Sequence, residues 1–140
     1  MSVLEARSPH APADVVATAQ TIMQRLEMAW NRAGGAAFGE PFSGDADFVA
    51  IRGDLHTGRD AIAAGHQQLF DTIYADSTVR YEVLQARRLD DRVILAHARC
   101  SINAPTGPLA GEHASTITVV LLEHDGEYEI TAFHNTLITG

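Results

Sequence analysis

Two histidines are the residues of this 140-residue chain best suited to chemistry, His134 near the end and His66 near the middle. His134 lies in the run Tyr128-Glu129-Ile130-Thr131-Ala132-Phe133-His134-Asn135-Thr136-Leu137. Side chains two apart on a strand share a face. Regular alternation therefore predicts His134 in register with Tyr128, Ile130 and Ala132, so that an apolar face ends in an imidazole. Such a group needs a partner or a ligand, and it titrates where proton transfer is useful. His134 is accordingly read as a catalytic acid/base in a pocket. Asn135 beside it is a candidate ligand-binding or orienting residue, although the same alternation turns its own side chain to the other face.

His66 falls in the apolar stripe Ile62, His66, Leu69, Phe70 and Ile73 of a helix. It is the second catalytic candidate if it faces the same cavity, the alternative being a hydrogen-bonded core histidine. Arg59 opens that helix, where a cation opposes the helix dipole. A pair with Asp47 or another carboxylate would compensate, or Arg59 would reach an acidic ligand at the cavity mouth. Asp47 and Arg59 are therefore ligand-site candidates, with Trp30 and Phe48 as apolar walls. No His-x-His or Glu-x-x-His spacing is present, so no metal site is expected. Cys100 has no adjacent histidine or lysine to activate it, and no nucleophile elbow occurs.

The elements that must position these groups follow from periodicity. Residues 1–11, which include Pro9, read as a loose tail before one domain over 12–140. Val15, Ala19, Ile22, Met23, Leu26 and Trp30 mark an amphipathic helix, stopped by Gly34-Gly35. Residues 36–39 fit a further helical turn before a loop at Pro41–Gly44. Asp47–Arg52 reads as a short strand turning at Gly53-Asp54 into Leu55–Thr57, and a second long helix follows Gly58. From about residue 78 the period becomes two, with strands near 78–89, 92–101, 113–123 and 127–138. On the second of these, Ile94, Ala96, Ala98 and Cys100 share a face whose small side chains leave room for a cavity or a close interface. Helices followed by an antiparallel meander make an α+β layout, and strand twist curls such a sheet into a cone around the helices.

Composition narrows the function classes. A formal charge of −8 opposes nonspecific binding to nucleic acid. Arg80, Arg87, Arg88, Arg92 and Arg99 are scattered over strands and read as a solvated face. The single cysteine, the lack of a signal-like start and the lack of an apolar run of roughly 18 residues fit a cytoplasmic protein that does not bind membranes. Gly34–Gly39 has alanine where a dinucleotide fingerprint needs its second glycine and follows a helix, so no cofactor is expected.

Several ordered motifs resemble the nuclear transport factor two-like superfamily, the curved cystatin-like cone shared with ketosteroid isomerases and SnoaL-type cyclases. They are Trp30, Asp45-Ala46-Asp47-Phe48-Val49, Gly58-Arg59-Asp60-Ala61-Ile62, His66, Asp125-Gly126 and Ala132-Phe133-His134-Asn135-Thr136. The set, spanning about residues 13–138, is most similar to the SgcJ/EcaC family. The resemblance implies a homodimer joined through the sheet and a pocket for a small hydrophobic, polyketide-like molecule, with isomerase- or cyclase-like acid/base catalysis. Non-catalytic ligand binding or a protein-interaction module is the alternative. The ketosteroid isomerase aspartate aligns with Ala50 or Ile51, which cannot accept a proton, and the SnoaL carboxylate aligns with His134-Asn135.

Overall fold

A computed structural model of the chain describes residues 12–139; the tail expected over 1–11 lies outside them. Helix α1 (Pro12–Asn31) is followed by a short helix α2 (Gly35–Gly39), strands β1 (Phe42–Val49) and β2 (Leu55–Thr57), and helix α3 (Arg59–Asp71). Four long strands complete the domain: β3 (Thr78–Asp90), β4 (Val93–Ala104), β5 (Gly111–His124) and β6 (Glu127–Leu137). They form one six-stranded sheet in the order β2-β1-β6-β5-β4-β3. The architecture is the α+β cone read from the sequence. The first strand differs: β1 begins at Phe42, inside the expected loop, it ends at Val49 so that residues 50–52 belong to the turn, and it runs parallel to β6.

The helical stripes are largely buried, although Leu69 is only half-buried and Ile73 lies beyond the end of α3. Val15, Ala19, Ile22, Met23, Leu26 and Trp30 of α1, with Ile62, His66 and Phe70 of α3, lie in the core. Gly35 lets α2 sit directly on α3, because a Cβ there would come within 2.6 Å of the Ala63 carbonyl oxygen. The inner sheet face includes Ile94, Ala96, Ala98, Cys100 and Ile102 of β4 and Ile117, Val119 and Leu121 of β5. The small side chains of β4 thus make room for helices.

Helix α1 also replaces a missing strand. Asn31 Oδ1 accepts from the Val79 N–H (2.8 Å) while its Nδ2 donates to the Val79 carbonyl (3.1 Å). Glu27 Oε1 accepts from the Tyr81 N–H (2.8 Å). Gln20 donates to the Tyr81 carbonyl (3.2 Å) and accepts from the Val83 N–H (2.9 Å). Three polar side chains on one side of the helix thereby satisfy backbone groups that would otherwise need another strand or water.

The last strand departs from simple alternation. Val120 pairs with Ala132 and Leu121 with Ile130, so Thr131 is one extra residue on β6. Such a bulge exchanges the faces of everything beyond it. Ile130 and Phe133 are both buried although they are three apart, and His134 is exposed. The expectation that His134 ends the apolar face is therefore corrected: it lies on the outer face, opposite Thr118. Asn135 moves the other way, onto the inner face beside Ile117.

The bulge assigns opposite costs to two neighbouring substitutions. Phe133→Ala is expected to lose about 3–5 kcal/mol of stability, whereas His134→Ala should stay within about 0.5 kcal/mol. Urea unfolding of both variants checks this, and equal losses would contradict the face assignment.

Candidate functional site

The core beneath the helices is aromatic. His66 stacks on Phe38 with ring centroids 4.0 Å apart and meets Phe48 edge-on at 4.8 Å. Trp30 and Phe70 close it in at 6.0 and 6.3 Å. Phe48 stacks in turn on Phe133 at 4.5 Å. Trp30 donates from Nε1 to Ser77 Oγ (2.9 Å), which satisfies its only polar atom. Trp30 and Phe48 are thus packed walls of this cluster.

His66 Nδ1 lies 2.8 Å from the Ile62 carbonyl oxygen. Only a protonated nitrogen can make that bond, so Nδ1 carries the hydrogen and Nε2 is the acceptor. Burial lowers the His66 pKa to about 4; the bond to Ile62 opposes the shift, and nearby His56 adds slightly to it. The ring is neutral near pH 7. His66 and His134 do not share a space, because one is enclosed on the helical side and the other is exposed on the outer face. Among the described residues no cluster of three metal-ligating side chains is formed.

Arg59 and Asp47 are also separate. Arg59 donates from Nε to the Phe42 carbonyl (2.9 Å) and pairs with Glu129 across 3.5 Å. Asp47 instead accepts from the Thr57 hydroxyl (3.2 Å) on the neighbouring strand. The compensation required for a cation at a helix start is present, with Glu129 as the carboxylate.

A polar group unremarked in the sequence sits further along the inner face. Tyr81, Cys100 and Ser115 are cross-strand neighbours on β3, β4 and β5. The thiol hydrogen-bonds with Ser115 and Tyr81, yet burial pushes its pKa up to about 12. Burial likewise raises the Tyr81 hydroxyl well above its ordinary value and that of Tyr74 more moderately. Cys100 adds to the rise at Tyr74, which follows α3 in the chain. Asn135 lies one cross-strand row away, opposite Ile117. Its Oδ1 is buried without a hydrogen-bond partner, although the residue as a whole is half-buried. The signal was present in the sequence: with strict alternation Phe133 would have shared the polar face of Glu129 and Thr131, and moving it inside moves Asn135 too.

No protein-family model and no curated protein matches this chain. Solved structures do. A domain of unknown function with a cystatin-like fold from Nostoc punctiforme PCC 73102 is 27% identical, with 89% of this chain and 77% of that one covered and a TM-score of 0.80. An NTF-2-like protein of unknown function from Shewanella oneidensis MR-1 is 15% identical over 86% and 97% of the two chains, TM-score 0.73. A ketosteroid isomerase-like protein from Erwinia carotovora atroseptica SCRI1043 is 14% identical over 89% and 97%, TM-score 0.74. The chain therefore has the cystatin-like, nuclear transport factor two-like fold. These likenesses establish the fold alone.

The buried His66 has a consequence for stability. An unfolded histidine binds its proton below about pH 6.5, whereas His66 in the folded protein stays neutral until about pH 4. The unfolded state thus gains protons first, and stability falls as pH drops through that window, by on the order of 3 kcal/mol when complete. His66→Gln should flatten this part of the pH dependence in urea unfolding between pH 7 and 4. An unchanged slope would show that another group sets it.

Proposed function

We propose that this protein binds a small, largely apolar molecule at the polar end of the inner sheet face, and binds it without turning it over. The observation that carries this reading is the unpartnered Oδ1 of Asn135. A buried acceptor with no donor costs about 1–3 kcal/mol, and a ligand hydroxyl or N–H would remove that cost. The hydroxyls of Tyr74 and Tyr81 are kept neutral by burial, so they serve as donors and not as bases. The Cys100 thiol, with a pKa of about 12, is no nucleophile near neutrality. The ligand fits the hydrophobic, polyketide-like class that the SgcJ/EcaC resemblance implies, with at least one hydrogen-bond donor.

Acid/base catalysis by His134 or His66 has less support. His134 is exposed on the opposite face, and His66 is neutral and ringed by aromatics. Arg59 and Asp47 are engaged with Glu129 and Thr57. A cytoplasmic setting suits the single, reduced cysteine. No helix of the described residues is long and apolar enough to cross a membrane.

Screening hydroxylated aromatic and polyketide-like compounds by thermal unfolding tests the binding reading. A ligand at a hundredfold its dissociation constant should add about 2.7 kcal/mol. Asn135→Leu should weaken that ligand about tenfold while leaving the free protein as stable or more so, since the unpaired acceptor is gone. His134→Ala should bind normally. Ligand turnover that is lost in His134→Ala would replace this reading with the catalytic one.

We also propose that two copies associate through the outer sheet face. Around the β3–β4 turn that face carries Val93, Leu95, Val120 and Ala132, half-buried, with Leu122 exposed. A charge placed in the centre of an apolar interface is strongly opposed. Sedimentation should give a dimer for the native chain and a folded monomer for Leu95→Glu; a native monomer at micromolar concentration would remove the proposal.

A further inference from the structure

We propose that the outer face carries a second site, a groove at the polar end of β3, β4 and β5 that takes a small organic acid with one anionic head and a neutral or ammonium-bearing tail. The groove has a volume of about 450 Å³ and is lined by Thr78, Arg80, Arg99, Ser101, Asn103 and Glu112, among others. Arg80 pairs across the strands with Ser101, and Arg99 lies two residues away on β4. Such diagonal neighbours stand about 7–8 Å apart at their Cα atoms, close enough for both guanidiniums to hold one oxyanion.

The charge balance makes this pair unusual. The chain has a formal charge of −8, and all ten of its basic residues are arginine. Yet among the described residues neither Arg80 nor Arg99 forms an ion pair. Glu82 faces Arg99 across the ladder and still makes none. Two guanidinium forks with no ion pair among the described residues match the planar geometry of a carboxylate, and a bidentate contact is among the stronger polar interactions. The hydroxyls of Ser101 and Thr78 and the carboxamide of Asn103 supply neutral donors along the floor.

Glu112 sets the polarity of the ligand. It pairs with Asn103, four residues along β4 from Arg99, so it closes the far end of the groove. A second anionic group there would be repelled, whereas an ammonium would be held. The site therefore discriminates between acids of equal length by what terminates their tails.

Hexanoate, 6-aminohexanoate and adipate test this, followed by NMR at the Arg80 and Arg99 Nε–H resonances of the full chain. Saturable shifts are expected, in the affinity order 6-aminohexanoate, hexanoate, adipate. Arg80→Gln and Arg99→Gln should each weaken binding about tenfold, from the loss of one charged hydrogen-bonding group. Glu112→Gln should abolish the preference for the amine, and Arg87→Gln, an exposed arginine elsewhere on β3, should change nothing. Shifts that merely follow chloride at equal ionic strength, saturable binding unaffected by both arginine changes, or adipate binding tightest would each overturn the proposal. None of these outcomes bears on the inner-face site, whose variant Asn135→Leu lies on the opposite side of the sheet.

Discussion

Much of what can be said about chemistry in this domain depends on a single extra residue. The pleat of a strand permits only two directions for a side chain, so an insertion of one is a reversal and not a small adjustment. Thr131 supplies that insertion in β6, and β1 shifts its own register against β6 between Phe42 and Asp47. The two irregularities are adjacent, and the Ser43 hydroxyl reaches Thr131 across 3.5 Å. The reward is apolar: Phe133 enters the core and stacks on Phe48. The polar consequence is that a carboxamide, and not an imidazole, faces inward at the end of the strand.

The aromatic cluster explains why a histidine can be buried in α3 at modest cost. A neutral imidazole has a flat face that stacks on Phe38 and one N–H that the Ile62 carbonyl takes up within the same helix. Its environment then makes protonation, not burial, the expensive event. A residue that reads as a proton carrier by type behaves here as a polar-edged aromatic.

Most of the fold was legible because its signals are local. The α1 and α3 stripes and the stop at Gly34-Gly35 each sit within a few residues of the structure they cause. The small side chains of Ala96, Ala98 and Cys100 announced a crowded face, though only the helices say which face it is. The functional groups were less legible because they depend on register and on distant partners. His134 was placed by counting in twos across a bulge. Arg59 called for a carboxylate, and sequence proximity favoured Asp47, whereas Glu129 arrives from a strand 70 residues away. The Tyr81, Cys100 and Ser115 group assembles from three strands and has no motif.

The hydrogen bonds from Gln20, Glu27 and Asn31 to β3 have a meaning beyond the single chain. Every open sheet ends in backbone that another molecule's strand can extend, the route to edge-to-edge aggregation. One edge here, β2, is only three residues long. The other, β3, has thirteen, and its first half is occupied by the side chains of α1. Its second half bears a register shift beside Leu84 and the charges of Arg87 and Arg88, both of which discourage a partner strand. The helix thus acts as a cap that keeps a long, pairing-competent edge from recruiting its neighbours.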